Sequence, residues 1–222
     1  GRIRLDDAHQ PILRRDTIGA MVAHSSTEFA DAVRAHPLER LALDQAQLEL
    51  LGSPLLAESL LVIGESHGAR ETPAVLYTVM CALDLRTIAL EWSHEEMDAV
   101  VQSFLRSGSF DFDALWALPP SAEFFCGDGR ITAGHFTLLE RLRREQRLDC
   151  VILFDRLDPD PAPDDWRVRD REMAERLLSE WGGRGAALAA VGAFHARHDE
   201  PGTMAHELAR HAEVRCAAIH FA

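Results

Sequence analysis

The sequence predicts an α/β protein built on an open, mostly parallel sheet of about five strands, with helices on both faces. Short continuous runs of β-branched and apolar residues recur after Pro54, and stretches with helical apolar spacing separate them. No internal repeat is evident. Continuous apolar strands that alternate with helices are typical of a parallel sheet that is buried on both faces.

The whole chain is predicted to form a single α/β domain in three parts. Residues 1–25 show no clear period and are interpreted as an arm or lead-in. The apolar spacing then becomes helical, and Ser26 or Thr27 is a candidate N-cap. We therefore expect a helical N-terminal region over residues 26–57 and a catalytic core over residues 58–222.

Strands and helices are predicted to alternate along the core. The five predicted strands are Leu60–Gly64, Thr87–Glu91, Cys150–Asp155, Leu188–Val191 and Arg215–Phe221. The five predicted helices are Ala74–Leu83, Glu95–Leu105, Phe136–Glu145, Arg169–Trp181 and Met204–His211. The irregular stretch Gly108–Gly134 is too long for a bare connection, so we expect it to carry a short element or to shape a site. The acidic, proline-rich stretch Leu157–Trp166 is interpreted as a semi-rigid loop.

Length and charge narrow the classes of function. A chain of 222 residues can bury a substantial core by itself. The formal net charge of −13 argues against nucleic acid or an anionic membrane as a partner. No run approaches the roughly 18 apolar residues of a membrane span, and no leader pattern opens the chain. A small-molecule substrate is the expected partner, and the sequence leaves open whether the chain forms a homo- or hetero-oligomer.

Lysine is absent, so all basic side chains apart from histidine are arginine. This excludes a Schiff base, a Walker lysine and a Ser-Lys dyad. The four cysteines are far apart and form no C-x-x-C pair, and Cys81, Cys150 and Cys216 lie in apolar segments. A reduced, cytoplasmic protein is the simplest interpretation.

Ionisable residues follow four of the predicted strands. Ligands of open parallel sheets bind beyond the carboxyl ends of the strands. The residues delivered to that edge are Glu65, His67, Glu91, Asp155 and His195. Crowded carboxylates and imidazoles shift one another's pKa values, which suits acid–base chemistry, and the same groups are ligands for a divalent metal.

A serine-hydrolase interpretation competes with this one. The segment Gly64–Gly68 is a literal G-x-S-x-G, and the order Ser66, Asp155, His195 matches that of α/β-hydrolases. A nucleophile elbow turns directly from strand into helix, however, and Pro73 predicts that the helix here starts several residues later. The upstream region is also predicted to be helical, which leaves no oxyanion loop before the elbow.

The sequence resembles the erythromycin esterase-like superfamily, which groups with ChaN-like proteins and, more remotely, with TraB/Tiki proteases. The resemblance depends on "IGESHGARE", "ALEW", "RDREMA" and "GAFHARH", in that order, over Leu60 to Leu208. The matching positions are Gly64, Glu65, His67, Arg70, Glu71, Glu91, Arg169 and His195. The first motif is one residue shorter than the G-E-x-x-H-G of the esterases, so Glu65 and His67 are expected to be oriented differently. The chain is also much shorter than those enzymes, which argues against a macrolide-sized substrate.

The resemblance implies an α/β fold with a carboxylate–histidine pocket. In the esterases it implies a histidine that acts as general base on a water which opens a lactone. In Tiki-like relatives it implies G-x-x-H motifs and a glutamate around a divalent metal, and in ChaN-like members it implies haem binding. A metal, if one is bound, would be held by His67, His195 and a carboxylate from Glu65 or Glu91; the alternative is no cofactor.

We therefore expect a hydrolase of esters or lactones. His67 is the expected general base and Glu65 or Glu91 its orienting group. Arg70 and Arg169 are expected to stabilise negative charge, and His195 to act as acid or as a second ligand. Expected substrate-binding residues are Glu71, Asp155 and Trp92. The alternatives are intramolecular cyclisation or elimination in natural-product (antibiotic) biosynthesis, and a haem- or metal-binding protein without turnover.

Overall fold

The computed structural model describes residues 2–4, 23–51, 59–120, 122–125, 128–156 and 166–220. Cys126, almost all of the proline-rich loop and most of the predicted N-terminal arm lie outside these residues. In chain order the elements are β1 (Arg2–Arg4), α1 (Ser26–Ala35), α2 (Gln45–Leu50), β2 (Ser59–Glu65), α3 (Thr72–Ala82), β3 (Thr87–Ser93), α4 (His94–Ser107), α5 (Phe112–Trp116), α6 (Ala133–Arg144), β4 (Cys150–Asp155), α7 (Trp166–Trp181), β5 (Ala187–Gly192), α8 (Met204–Leu208) and β6 (Glu213–His220).

The described strands form one parallel sheet in the order β1-β6-β2-β5-β3-β4. All five predicted strands are present, with ends that differ by two residues or fewer within the described part of the chain. The open, parallel α/β architecture is therefore confirmed. The sheet has one more strand than expected, because residues 2–4 pair with β6. Three residues are too few to show an alternating pattern, and pairing through backbone groups needs none.

Helices cover both faces of the sheet, as the alternation of side chains along β2 shows. Leu61 and Ile63 belong to a core that includes buried residues of α1, α3, α4 and α6. Leu60 and Val62 face the opposite way, into a second core with α7 and α8. Because β2 is buried along its whole length, its sequence reads as a continuous apolar run.

The N-terminal region is helical only in part. Helix α1 is capped by Ser25, one residue before the predicted caps, whose hydroxyl accepts a hydrogen bond from the backbone of Glu28 at 3.1 Å. Residues 36–44 are irregular, although Leu38, Leu41 and Leu43 pack against the first core. Pro37 explains the break, since its ring cannot continue the helix. The spacing of the apolar residues in this stretch therefore indicates which side chains pack on the core, and it does not indicate a helix.

The stretch between α4 and α6 was expected to carry a short element or to shape a site. It carries short elements, and it contributes residues to the cluster at the strand ends. Its described part contains α5 and a 3-10 turn at Glu123–Phe125. Its last part crosses the edge of the sheet at Gly129, whose carbonyl accepts a hydrogen bond from the amide of Gly68 at 2.9 Å. Both glycines have positive φ angles of 92° and 76°. This contact brings Asp128 and Arg130 over the strand ends.

No helix in the described ranges is both long enough and apolar enough to cross a membrane. The three cysteines within them are free thiols, of which Cys81 is buried and Cys150 and Cys216 are half-buried. Burial raises the pKa of Cys216 to about 11, so this thiol stays protonated at neutral pH.

Candidate functional site

The carboxyl ends of β2, β5, β3 and β4 are neighbours in the sheet, and ionisable side chains from all four converge there. The convergent residues that the sequence predicted are Glu65, His67, Glu91, Asp155, Arg169 and His195. The carboxylates among them are buried, whereas the side chains of His67 and His195 keep 23% and 15% of their surface exposed. Both imidazoles can therefore meet a ligand from solvent.

His67 is held by Glu65, which ends β2. The Nδ1 atom of His67 lies 3.1 Å from Oε1 of Glu65. When the ring is neutral and Nδ1–H donates to this carboxylate, Nε2 carries the lone pair. That atom lies 3.7 Å from Oε2 of Glu91. The distance is too long for a direct hydrogen bond and leaves room for a water or a substrate hydroxyl that both groups contact.

The pKa of His67 is higher than the ordinary 6.5, although its environment acts in both directions. Burial lowers the pKa of this imidazole, and the positive charge of Arg130 lowers it further. The hydrogen bond to Glu65 and the negative charges of Glu91 and Glu65 raise it and prevail. The surroundings of His67 thus favour its protonated form more than water does.

His195 has the same arrangement on the other side of Glu91. Its Nδ1 lies 2.8 Å from both carboxylate oxygens of Asp170, a side chain with no exposed surface. Its Nε2 lies 3.9 Å from Oε1 of Glu91. The backbone amide of Met204 donates to Asp170 at 2.8 Å, so the carboxylate is fixed by α8 as well. Two carboxylate–histidine pairs therefore flank one glutamate.

Glycine is required where β5 passes beneath the imidazoles. A Cβ atom on Gly192 would lie 3.0 Å from Nε2 of His67 and 3.4 Å from Cδ2 of His195. The amide of Gly192 donates a 2.7 Å hydrogen bond to Oε2 of Glu91. The strand end thus orients the carboxylate and makes room for both histidines.

Glu91 is directed into the site by an irregularity in β3. The pairing of β3 with β4 shifts register between Leu90 and Ser93, so that β3 has an extra residue there. Bulges of this kind change the direction of a side chain and are frequent beside active sites. The next residue, Trp92, faces the core, and its indole N–H donates to the carbonyl of Arg130 at 3.0 Å.

Two arginines neutralise the carboxylates behind the histidines. Arg169 donates to both oxygens of Asp155 at 3.1 and 2.5 Å and to Oε1 of Glu91 at 3.1 Å. Arg130 donates to Asp155 at 2.7 Å and lies 3.5 Å from Glu91. Asp128 contacts Arg130 at 2.6 Å. Guanidinium groups and hydrogen bonds offset the cost of burying these carboxylates.

The predicted site residues Arg70, Glu71 and Trp92 are not part of this cluster. Arg70 is exposed on the turn before α3 and contacts none of these carboxylates within the described structure. Glu71 is half-buried on the same turn. Only 1% of Trp92 is exposed, so it supports the loop that carries Arg130 and presents no surface to a substrate.

Several residues at the site had not been assigned a role from the sequence. Arg130 and Asp128 come from the irregular stretch, and Asp170 is the second residue of "RDREMA", in which only Arg169 was assigned a role. His135, on α6, is buried and lies 3.0 Å from the hydroxyl of Thr132 through Nδ1. Its Nε2 is 3.9 Å from Oε2 of Glu65, a buried atom that accepts no hydrogen bond within the described structure. The segment "GDGRITAGH" contained the signal, since it ends the irregular stretch and is rich in polar groups and glycine.

The geometry does not form the serine triad. Asp155 is bound by two arginines and His195 by Asp170, so neither pairs with the other as a triad requires. Ser66 is exposed, and α3 begins only at Thr72, seven residues after β2 ends at Glu65. The turn is not a nucleophile elbow.

A divalent metal fits this donor set poorly. Among the residues that the structure describes, no group of three or more histidine, cysteine, aspartate or glutamate side chains has a metal-binding arrangement. The Nε2 atoms of His67 and His195 face Glu91, but two guanidinium groups approach the same carboxylate within 3.5 Å. Their positive charges oppose a dication at this point.

Two cavities bear on where a ligand binds. One of about 330 Å³ adjoins the cluster and is lined by residues that include Asp155, Arg169 and His94. A larger one of about 1120 Å³ lies between α7, α8 and β6, and none of the convergent residues lines it. The smaller cavity touches the cluster through Asp155 and Arg169, whereas His67, Glu91 and His195 line neither of the two cavities.

The fold and the site together define an open parallel α/β protein with paired carboxylate–histidine groups at the strand ends. Comparison of the chain with protein-family models, with curated proteins and with solved structures found no match.

Proposed function

We propose that this chain is a small-molecule enzyme of the erythromycin esterase-like type that hydrolyses esters or lactones by general acid–base catalysis. One observation carries the proposal: Nδ1 of His67 is held by Glu65, while its partly exposed Nε2 faces Glu91 across 3.7 Å. An imidazole fixed in this way presents a lone pair at a defined point, which is what a general base needs.

In this mechanism a water binds between Nε2 of His67 and Glu91. His67 takes a proton from the water as its oxygen attacks the carbonyl carbon, and the imidazolium that forms is stabilised by Glu65 and Glu91. The tetrahedral intermediate then collapses, and the departing alkoxide takes a proton from protonated His195. Arg169 and Arg130 hold Glu91 and Asp155 in place through ion pairs, so the site does not reorganise during the reaction.

Intramolecular cyclisation or elimination is the second candidate, because the position between His67 and Glu91 accepts a substrate hydroxyl as readily as a water. The base and the acid would keep their roles, and no water would be consumed. The mass of the product separates the two reactions, since hydrolysis adds one water molecule and cyclisation does not.

The test is a kinetic and mass-spectrometric screen of aryl esters and lactones with the wild type, H67A and S66A. A positioned acid or base contributes about 10²–10⁴-fold to a rate, so H67A should lose at least that much in kcat. S66A is the matched control, because Ser66 is an exposed neighbour without a contact to either imidazole; it should keep the wild-type rate. Near-full turnover by folded H67A, or loss of turnover in S66A, would reject the assignment.

A further inference from the structure

An exposed aromatic side chain lies directly beside the site. Phe194 has 43% of its surface exposed and is the one exposed large hydrophobic residue among those described. Single exposed apolar residues are common on protein surfaces, so exposure alone carries no conclusion. The informative point is its position: Phe194 precedes His195, and the two rings are 5.5 Å apart.

A second aromatic ring reaches the same place from α7. The ring of Trp166 meets that of Phe194 edge-to-face at 4.8 Å. Trp166 is three and four residues before Arg169 and Asp170, and such spacings put side chains on one face of a helix. The face of α7 that supplies two site residues therefore also presents Trp166 at the mouth of the site.

Arg167 fixes the orientation of this tryptophan. Its guanidinium carbon lies over the ring of Trp166, 4.7 Å from the centroid. The side chain of Arg167 in turn packs on Gly202, where a Cβ atom would come within 2.8 Å of its Cδ. Phe194 and Trp166 thus form a preorganised apolar surface, and preorganisation lowers the entropy cost of binding.

We propose that Phe194 and Trp166 form the subsite for the apolar part of the substrate, an alkyl or aryl group attached to the reacting centre. The subsite lies next to His195, because the ring of Phe194 contacts both that imidazole and the ring of Trp166. The substrate class is therefore a hydrophobic ester, lactone or hydroxylated precursor rather than a highly polar one. This inference rests on the proposed function, because it takes the occupant to be the substrate of that site.

The test measures binding without turnover. The probe is N-(1-naphthyl)acetamide, an amide analogue of an aryl ester that resists hydrolysis, titrated by calorimetry into the full chain. F194S and W166A should each weaken its Kd roughly three- to tenfold, the effect expected for loss of an aromatic contact. W166F keeps a ring and should recover most of the affinity, which separates a lost contact from a misfolded protein.

Two further variants make the outcome specific. L178S alters the larger cavity, whose wall includes Leu178, and should leave the Kd unchanged. Ester turnover by the wild type and H67A is measured separately from probe binding to F194S and W166A, so that a failure of the proposed chemistry and a failure of the subsite give different results. Absence of probe binding to the wild type would overturn the proposal. So would weakening by L178S but not by F194S, or a change of oligomeric state in F194S with unchanged affinity.

Discussion

Nδ1 of His195 lies 2.8 Å from both carboxylate oxygens of Asp170, whose side chain has no exposed surface. The relationship repeats that between His67 and Glu65, 3.1 Å apart on the neighbouring strand. In each pair the carboxylate accepts from Nδ1, so Nε2 is the atom directed at Glu91. The site is thus two similar pairs that share one carboxylate.

Asp170→Asn should impair the reaction more than it impairs folding. Both carboxylate oxygens of Asp170 lie 2.8 Å from Nδ1 of His195, and Oδ2 also accepts from the amide of Met204, so an asparagine that keeps its oxygen on Met204 brings its NH₂ group against Nδ1 of His195. Its NH₂ group would favour the wrong imidazole tautomer, and we expect kcat to fall about 10²–10⁴-fold. Asp170→Ala leaves buried donors unpaired and should also cost about 1–3 kcal/mol of unfolding free energy. Urea titrations and steady-state kinetics on both variants separate the two effects; equal rates in the wild type and Asp170→Asn would contradict the role.

The raised pKa of His67 predicts two pH dependences of opposite direction. Catalysis needs the neutral base, so kcat/KM should rise with pH through a value above 6.5. In E65Q the rise should shift to lower pH, because the hydrogen bond and charge that raise the pKa of His67 are lost. A pH–rate profile and an NMR titration of His67 measure this shift, and an unmoved profile would refute it.

The contribution of His67 to the free energy of unfolding changes with pH in the direction opposite to that of its activity. Because the pKa of His67 is higher in the folded state, protonated His67 stabilises the fold most below the unfolded value near 6.5, and this contribution disappears as pH rises through the folded pKa. The difference in unfolding free energy between the wild type and H67Q should therefore be larger near pH 5.5 than near pH 9. Urea unfolding at the two pH values checks it, and a difference that grows with pH would contradict it.

Arg169→Met should destabilise the protein strongly. The substitution leaves Asp155 and Glu91, which are 1% and 3% exposed, with less compensating charge. Breaking a buried ion pair costs about 3–5 kcal/mol, and we expect the lower part of this range because Arg130 contacts both carboxylates too. Arg86→Met removes an exposed pair with Asp149 and should cost far less. Similar losses in the two variants, measured by urea unfolding, would show that the cluster is not a stabilising network.

Gly192→Ala should lower activity at little cost in stability. The added methyl group would press on His67 and His195, at 3.0 and 3.4 Å, and small displacements of catalytic groups can cost about 10²-fold in rate. Gly64→Ala is the matched comparison one strand away, where the new Cβ would meet the Cβ of Ala196 at 2.8 Å. That variant should lose about 1–3 kcal/mol through overpacking. If Gly192→Ala were fully active, the close approach of β5 would have no catalytic meaning.

The candidate site was predictable where it depends on strand ends. Glu65, Glu91 and Asp155 follow or end apolar runs, and parallel strands must finish at one edge, so their convergence follows from fold class. Arg169 was found through the resemblance. Arg130 and His135 were not assigned, because one lies on an aperiodic stretch and the other in the first turn of a helix. Neither position belongs to a periodic pattern from which the location of its side chain in the fold could be predicted.

The sequence by itself determined the parallel α/β class, the five longer strands and the edge of the sheet where ionisable residues collect, because hydrophobic periodicity and strand polarity are local properties. Only the tertiary structure decided which partner each group takes. Asp155 is bound by Arg130 and Arg169 rather than by His195, and His195 is bound by Asp170. Such pairings depend on distances of a few ångströms between segments that are far apart in the chain, and these are set by packing of the sheet, α7 and the loop before α6.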